Sequence, residues 1–484
     1  MSATIPNNRY DSLDALRGLS IFGMLWSGLI PYGVLPAFMY HVQLPPPSHA
    51  FNPNLPGIGW VDLVFPAFIF CMGVAIPLAL HARIKKGATT GDLFKSILKR
   101  YVLLVIFAWI VGIAKGIVHR LSSLEEAYLW VQAYDLQLLS LGAAILLHII
   151  LGTWSRKRFP AKSRMIKSLG WLGLVAWLCI LKFKYNAEFT VAQVDIILLI
   201  LANVYLLGAL GWLATKDNWI TQLLLFVAWG AIQFLLKTQD ISPYLDAVPA
   251  VFQTSMLHYM ILLIPAIYIG NQMLKVGFDK ADLVAIKMNP TIAPWTPTSK
   301  TMAYALFSVC ALFLAGFYLQ LTIYWMVGFW VICSVAMILV RSFWKKPWEQ
   351  HTLILGMGLL LVGIVLNGIF LEGGIKKDPV TASYLLATTG LSSLLLLAFE
   401  ALSLKFNKGV FVWNGQNPLM AYVAVALVAF PILELSNLIS FYEFDLWIFH
   451  ENAWFNAFKA LLLTYFVMSV VRYLTKFQSQ YWKI

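Results

Sequence analysis

Long apolar runs dominate this chain, and the connections between them alternate between basic and nearly cation-free. A helix needs about 20 consecutive apolar residues to cross the hydrocarbon core. Runs of that kind stand near 17–36, 60–82, 101–118, 131–152, 167–183, 192–214, 219–236, 250–274, 301–319, 322–340, 352–371, 381–404, 416–436 and 454–474. The connection 83–100 carries Arg83, Lys85, Lys86, Lys95, Lys99 and Arg100, and 153–167 carries Arg156, Lys157, Arg158, Lys162, Arg164 and Lys167. Every second connection continues the pattern with Lys275, Lys280, Lys287 and Lys300, then Arg341, Lys345 and Lys346, then Lys405 and Lys408. No Lys or Arg occurs between Gly18 and Ala82, and 437–453 holds Glu443, Asp445 and Glu451 without a cation. Basic connections stay in the cytoplasm. The alternation therefore predicts an all-α polytopic integral membrane protein of about 12–14 spans, with both termini cytoplasmic and residues 37–59 outside.

Composition agrees. The chain is 60% hydrophobic and 12% charged, against about 25% charged in a soluble domain. Its net charge of +13 belongs to the basic connections and gives no reason to expect nucleic acid. The first apolar run follows Arg17, is too long for a signal-peptide core and lacks a small-residue cleavage site. No connection is long enough for a soluble domain, so 1–484 reads as one transmembrane domain. The short loops suggest a multi-pass protein of a bacterial inner membrane. Cys71, Cys179, Cys310 and Cys333 lie inside apolar runs without CxxC or a neighbouring His, and read as small apolar fillers.

Chemistry is then left to helix ends and short loops. Asp14 and Arg17 share a helix face at the inner mouth of the first span. As an isolated pair they read as a capped end with a positive-inside arginine; functionally, the fork suits a phosphate. Asp62 opens the second span in GWVDLVFPAFIF. It serves as a helix cap, yet acidic groups at membrane depth are costly and usually functional. His49 stands just before it in a loop stiffened by Pro45, Pro46, Pro47, Pro53 and Pro56, and Asp62 is placed to orient it; His41 competes in the same loop. Asn414 and Asn417, in VWNGQNPLMAY, open the thirteenth run, where Asn–Pro is an ordinary helix start. Lys376 and Lys377 face outward against the charge rule, with Glu372 and Asp378 as ready ion partners. GxxxxGK, HExxH, GxSxG and Cys/His metal spacings are absent, so no metal is expected.

The order SLDALRGLSIFGM, a His-bearing outward loop, then GWVDLVFPAFIFCMGVAIPLAL resembles the heparan-α-glucosaminide N-acetyltransferase family of the transmembrane acyltransferase superfamily and its bacterial relatives. The later GGIKKDPVTASYLLATTG and GQNPLMAY segments resemble it in the same order. The likeness is best over 9–86, weaker over 352–430 and absent over 120–300, where only Gln137 is carried over.

The resemblance implies transfer of an acetyl group from cytoplasmic acetyl-CoA to the amine of a terminal glucosamine, or a related amino sugar, across the lipid bilayer. It makes His49 the active histidine, as general base or acetyl carrier, with Asp62 beside it. Asp14, Arg17, Lys99, Arg100, Asn414 and Asn417 would hold the cofactor, and Asn367, Lys376 and Lys377 the acceptor. Because the core is about 30 Å thick, the His49 loop is expected to dip inward, packed between helices where irregular backbone is tolerated. O-acetylation of a surface glycan and small-solute transport are the alternatives, and oligomeric state, a homodimer included, stays open.

Overall fold

The computed structural model describes residues 10–121, 129–185, 187, 189–190, 193–216, 218–238, 254–276, 298–403, 409–436, 438 and 452–483. Lys280, Lys287, Lys405 and Lys408 of the basic connections, and Glu443, Asp445 and Glu451 of the acidic one, lie outside those residues. The described part is all-α, without a strand. Eleven of its helices are long and apolar enough to cross a membrane.

In chain order the main helices, leaving aside the five-residue Trp154–Arg158 and short 3-10 turns, are α1 (Asp11–Ser27), α2 (Trp60–Ile84), α3 (Thr90–Leu121), α4 (Leu129–Leu151), α5 (Ser163–Tyr185), α6 (Ile196–Thr215), α7 (Trp219–Thr238) and α8 (Met260–Val276). Then come α9 (Ser299–Tyr318), α10 (Ile323–Leu339), α11 (Pro347–Gly368), α12 (Ala382–Ser403), α13 (Val410–Gln416), α14 (Pro418–Ala424), α15 (Phe430–Leu435) and α16 (Ala453–Lys476). Two shorter apolar helices, Trp219–Ile232 within α7 and Ile323–Leu339, together with α1, fall at the remaining predicted runs. The chain is an integral, multi-pass, helical membrane protein.

Two runs differ from expectation. The first span was expected over 17–36, but α1 covers Asp11–Ser27. Its polar first turn is drawn inside because the bundle supplies partners: Ser12 Oγ donates to Glu400 Oε2 at 2.6 Å, and Ser12 and Asp14 are buried. The thirteenth run was expected as one helix from 416. It is broken at Asn417 (φ −130°, ψ 55°), where Pro418 has no N–H to continue the ladder, and it contains a π turn at Val425–Ala429.

Small residues set how closely the helices approach. A Cβ on Gly18 would collide with the carbonyl of Phe411, and one on Gly415 with the carbonyl of Asp14. Thus α1 and α13 pack backbone to backbone. Likewise Gly73 of α2 faces Ala266 and the Leu263 carbonyl of α8, and Gly270 faces the Val74 carbonyl. Helices in lipid associate through such close packing, because the hydrophobic effect does not favour burial over lipid contact.

Candidate functional site: a loop closed by Lys376

The segment between α1 and α2 is irregular but extensively hydrogen-bonded. Tyr40 OH donates to the Pro31 carbonyl at 2.5 Å and accepts from Leu35 N. The buried Gln43 amide donates to the carbonyls of Leu55 and Gly57 at 2.9 and 3.1 Å. Gly57 then pairs with Lys376 in an isolated parallel bridge, its N–H donating to the Ile375 carbonyl at 2.6 Å. Asn367 Oδ1 accepts from Ile375 N at 2.8 Å. The loop before α2 and the loop between α11 and α12 are thereby tied into one unit.

Within that unit, Asp62 takes His41 rather than His49. Asp62 Oδ1 lies 2.7 Å from His41 Nδ1, and Oδ2 accepts from Gly59 N at 2.8 Å, which caps α2. The carboxylate is fully buried and the imidazole about a third exposed. Lys377 Nζ stands 3.2 Å from Nδ1 and 3.3 Å from Nε2 of the same ring, and 3.8 Å from Asp378. Beneath them, Tyr384 OH donates to the Asp62 carbonyl at 2.8 Å. With Nδ1–H donated to the carboxylate, Nε2 carries the lone pair, which is the tautomer a general base requires.

His49 is built differently. It is a non-glycine residue in the left-handed region (φ 48°), a conformation kept only where surroundings enforce it. Its ring stacks on Tyr32 at 3.7 Å, meets Tyr40 edge-on, and sets Nδ1 3.0 Å from the Leu44 carbonyl. Its Nε2 is buried without a partner. The expectation that Asp62 orients His49 is corrected by loop geometry: turns at Leu44 and Pro45 hold His49 inside an aromatic cage, while His41 meets the start of α2.

The remaining candidates divide by location. Lys376 and Asn367 join Lys377 in the outward unit; both are buried. Arg17 is not an open fork at a mouth. Its guanidinium donates to Asp14 Oδ1 (3.2 Å), the Gly415 carbonyl (3.1 Å) and the Cys71 carbonyl (3.1 Å), pinning α1, α13 and α2 together. Asn414 donates to the Val410 and Met468 carbonyls. Asn417 donates to Thr475 Oγ1 and the Gln480 carbonyl and accepts from Trp482 N, so it fastens the C-terminal segment. These three side chains are committed to helix packing, which removes the expected free phosphate contacts. Lys99 is exposed, whereas Arg100 lies over the Tyr205 ring at 4.6 Å. Gln137 is buried with Oε1 unpaired.

Two polar clusters had no sequence signal. Lys115 Nζ meets Asp195 Oδ2 at 2.6 Å and Tyr422 OH at 3.2 Å, while Asp195 Oδ1 caps α6 through Leu198 N. The three residues come from segments far apart in sequence, so no motif announces them. At the basic face, Lys346 Nζ holds Glu400 (2.6 Å) and Glu349 (3.1 Å). Burial opposes that ammonium, but the two glutamates outweigh burial and keep its pKa above the ordinary lysine range. Among the described residues no three His, Cys, Asp or Glu side chains converge as a metal site. A cavity of about 540 Å³ between α4, α14, α15 and α16 is almost wholly apolar and includes none of the loop residues around His41 and Lys377.

Residues 9–273 match the model of a domain of unknown function, DUF5009. No curated protein matches the chain.

Proposed function

The chain belongs to the DUF5009 family, and from that premise and the loop geometry we propose that it is an integral membrane acetyltransferase. It moves acetyl from cytoplasmic acetyl-CoA to the amine of a terminal glucosamine or related amino sugar outside. The observation that carries this reading is the buried Asp62 carboxylate holding a partly exposed His41, with Lys377 against the same ring. The resemblance of the LDALRG and DLVFP segments to the heparan-α-glucosaminide N-acetyltransferase family supports the reaction class.

In this reading His41 Nε2 takes the proton from the acceptor nitrogen as that nitrogen attacks the thioester carbonyl. The C–S bond breaks, and the departing thiolate recovers the proton from the imidazolium. Asp62 holds the ring and steadies its positive charge. Lys377 faces the negative charge that develops on the carbonyl oxygen. His49 keeps the loop in shape rather than reacting.

The test uses purified protein, acetyl-CoA labelled on the acetyl group, and glucosamine. The parent is expected to yield labelled N-acetylglucosamine. His41→Ala and Asp62→Asn should each lower kcat by about 100-fold or more, with His49→Ala affected through stability. Transfer that survives His41→Ala and is lost in a folded His49→Ala returns the active role to His49. Product labile to mild base marks O-acetylation. Absence of both acetyl transfer and CoA release would defeat the proposal and favour transport.

A further inference from the structure

Away from the outward loop, a cavity of about 310 Å³ opens between α7, α8 and α11. That is the low end of the range for small-molecule sites. Most of its wall is apolar and continuous with surface that lipid covers: Leu223 and Ile354 are 50% and 73% exposed. One end is polar. Gln222 lines the cavity and is only 4% exposed. Its Nε2 donates to the Lys216 carbonyl at 2.5 Å, and its Oε1 is buried without a partner. The amide cannot be turned over, because two carbonyl oxygens would then oppose each other. Beside it Tyr268 OH and His351 Nδ1 stand 3.2 Å apart.

An acceptor buried without a donor is costly, so a ligand that fills this end brings an O–H or N–H. The surrounding charge specifies more. Lys216, Lys275 and Lys345 are exposed at the end of α6, the last turn of α8 and just before α11, at the end of the bundle where Gln222 and His351 lie. Cations at that end of the bundle favour a net negative headgroup. The wall admits its occupant from the bilayer.

We propose that this cavity binds an anionic phospholipid with a hydroxylated headgroup, of which phosphatidylglycerol is the simplest. One acyl chain lies in the apolar groove, a headgroup hydroxyl donates to Gln222 Oε1, and the phosphate faces the end of the bundle that carries Lys216, Lys275 and Lys345. The site is independent of the acetyl-transfer reading and uses none of its residues.

The experiment is native mass spectrometry of the full-length, delipidated protein titrated with phosphatidylglycerol or with phosphatidylcholine, whose headgroup has no donor and no net charge. The parent is expected to bind phosphatidylglycerol about tenfold more tightly. Gln222→Leu should abolish most of that preference while leaving the apolar groove. Leu223→Trp, at a half-exposed position that leaves the core untouched, should weaken both lipids by filling the groove. Equal binding of the two lipids by the parent, or an unchanged preference in Gln222→Leu, would overturn the assignment. So would undiminished binding in Leu223→Trp.

Discussion

Single side chains here separate into those that are satisfied and those left for chemistry. Arg17, Asn414 and Asn417 read as cofactor contacts in sequence, yet each spends its donors on carbonyls or side chains of neighbouring helices. Asn417→Ala is therefore expected to lower the thermal midpoint by several degrees, with the KM for acetyl-CoA unchanged; a raised KM at an unchanged midpoint would reinstate the cofactor reading. Asp195 is a second case. Replacing it with Ala strands the Lys115 ammonium beside Tyr422 and uncaps α6. Because Lys115 is about a third exposed, the expected loss is about 2 kcal/mol rather than the larger cost of a fully buried pair. Chemical or thermal unfolding measures it, and recovery in Asp195→Asn would assign most of the loss to the cap. The residues of the proposed site sit at the other extreme: His41 is partly open and held from one side by a buried carboxylate.

At the scale of elements, the contact of α1 with α13 is set by two glycines. At Gly18 and Gly415 no side chain separates the two helices, because each glycine lies directly against the opposite backbone. Gly18→Val is expected to cost about 3 kcal/mol by overpacking. It should also disturb the register that brings Arg17 to the Gly415 carbonyl. A variant that elutes as a stable monodisperse protein with the parent's midpoint would refute that packing. The broken segment α13–α14 follows the same logic. Asn417–Pro418 interrupts the ladder, the Asn414 carbonyl accepts from Asn417 N instead, and the Asn417 side chain fastens the C-terminal segment around Gln480 and Trp482.

For the whole molecule, orientation is the property to test. The alternation of basic connections places Lys345 inside and Lys377 outside. In a background without Cys179, which is exposed on α5, Lys345→Cys should resist a membrane-impermeant thiol reagent applied to intact cells. Lys377→Cys should react after the loop is opened by mild detergent, and partly before, since Lys377 retains 22% side-chain exposure. The reverse pattern would invert the topology and move the His41 site to the other side. The apolar runs were legible because membrane insertion sums transfer free energy over one continuous segment, and each segment contains that information itself. The presence of a stiff, His-bearing loop before an aspartate was legible for the same reason. The choice of histidine was not. Asp62 meets His41 across 21 positions and Lys377 reaches the same ring across 336, and both meetings depend on how two loops close through Gly57 and Lys376. Sequence by itself determined a helical membrane protein, its apolar runs and the residue types available in the loops between them. Only the tertiary structure decided which of those residues face one another. Hydrogen-bond geometry selects partners over a few ångströms in space, and distance along the chain carries almost no information about that.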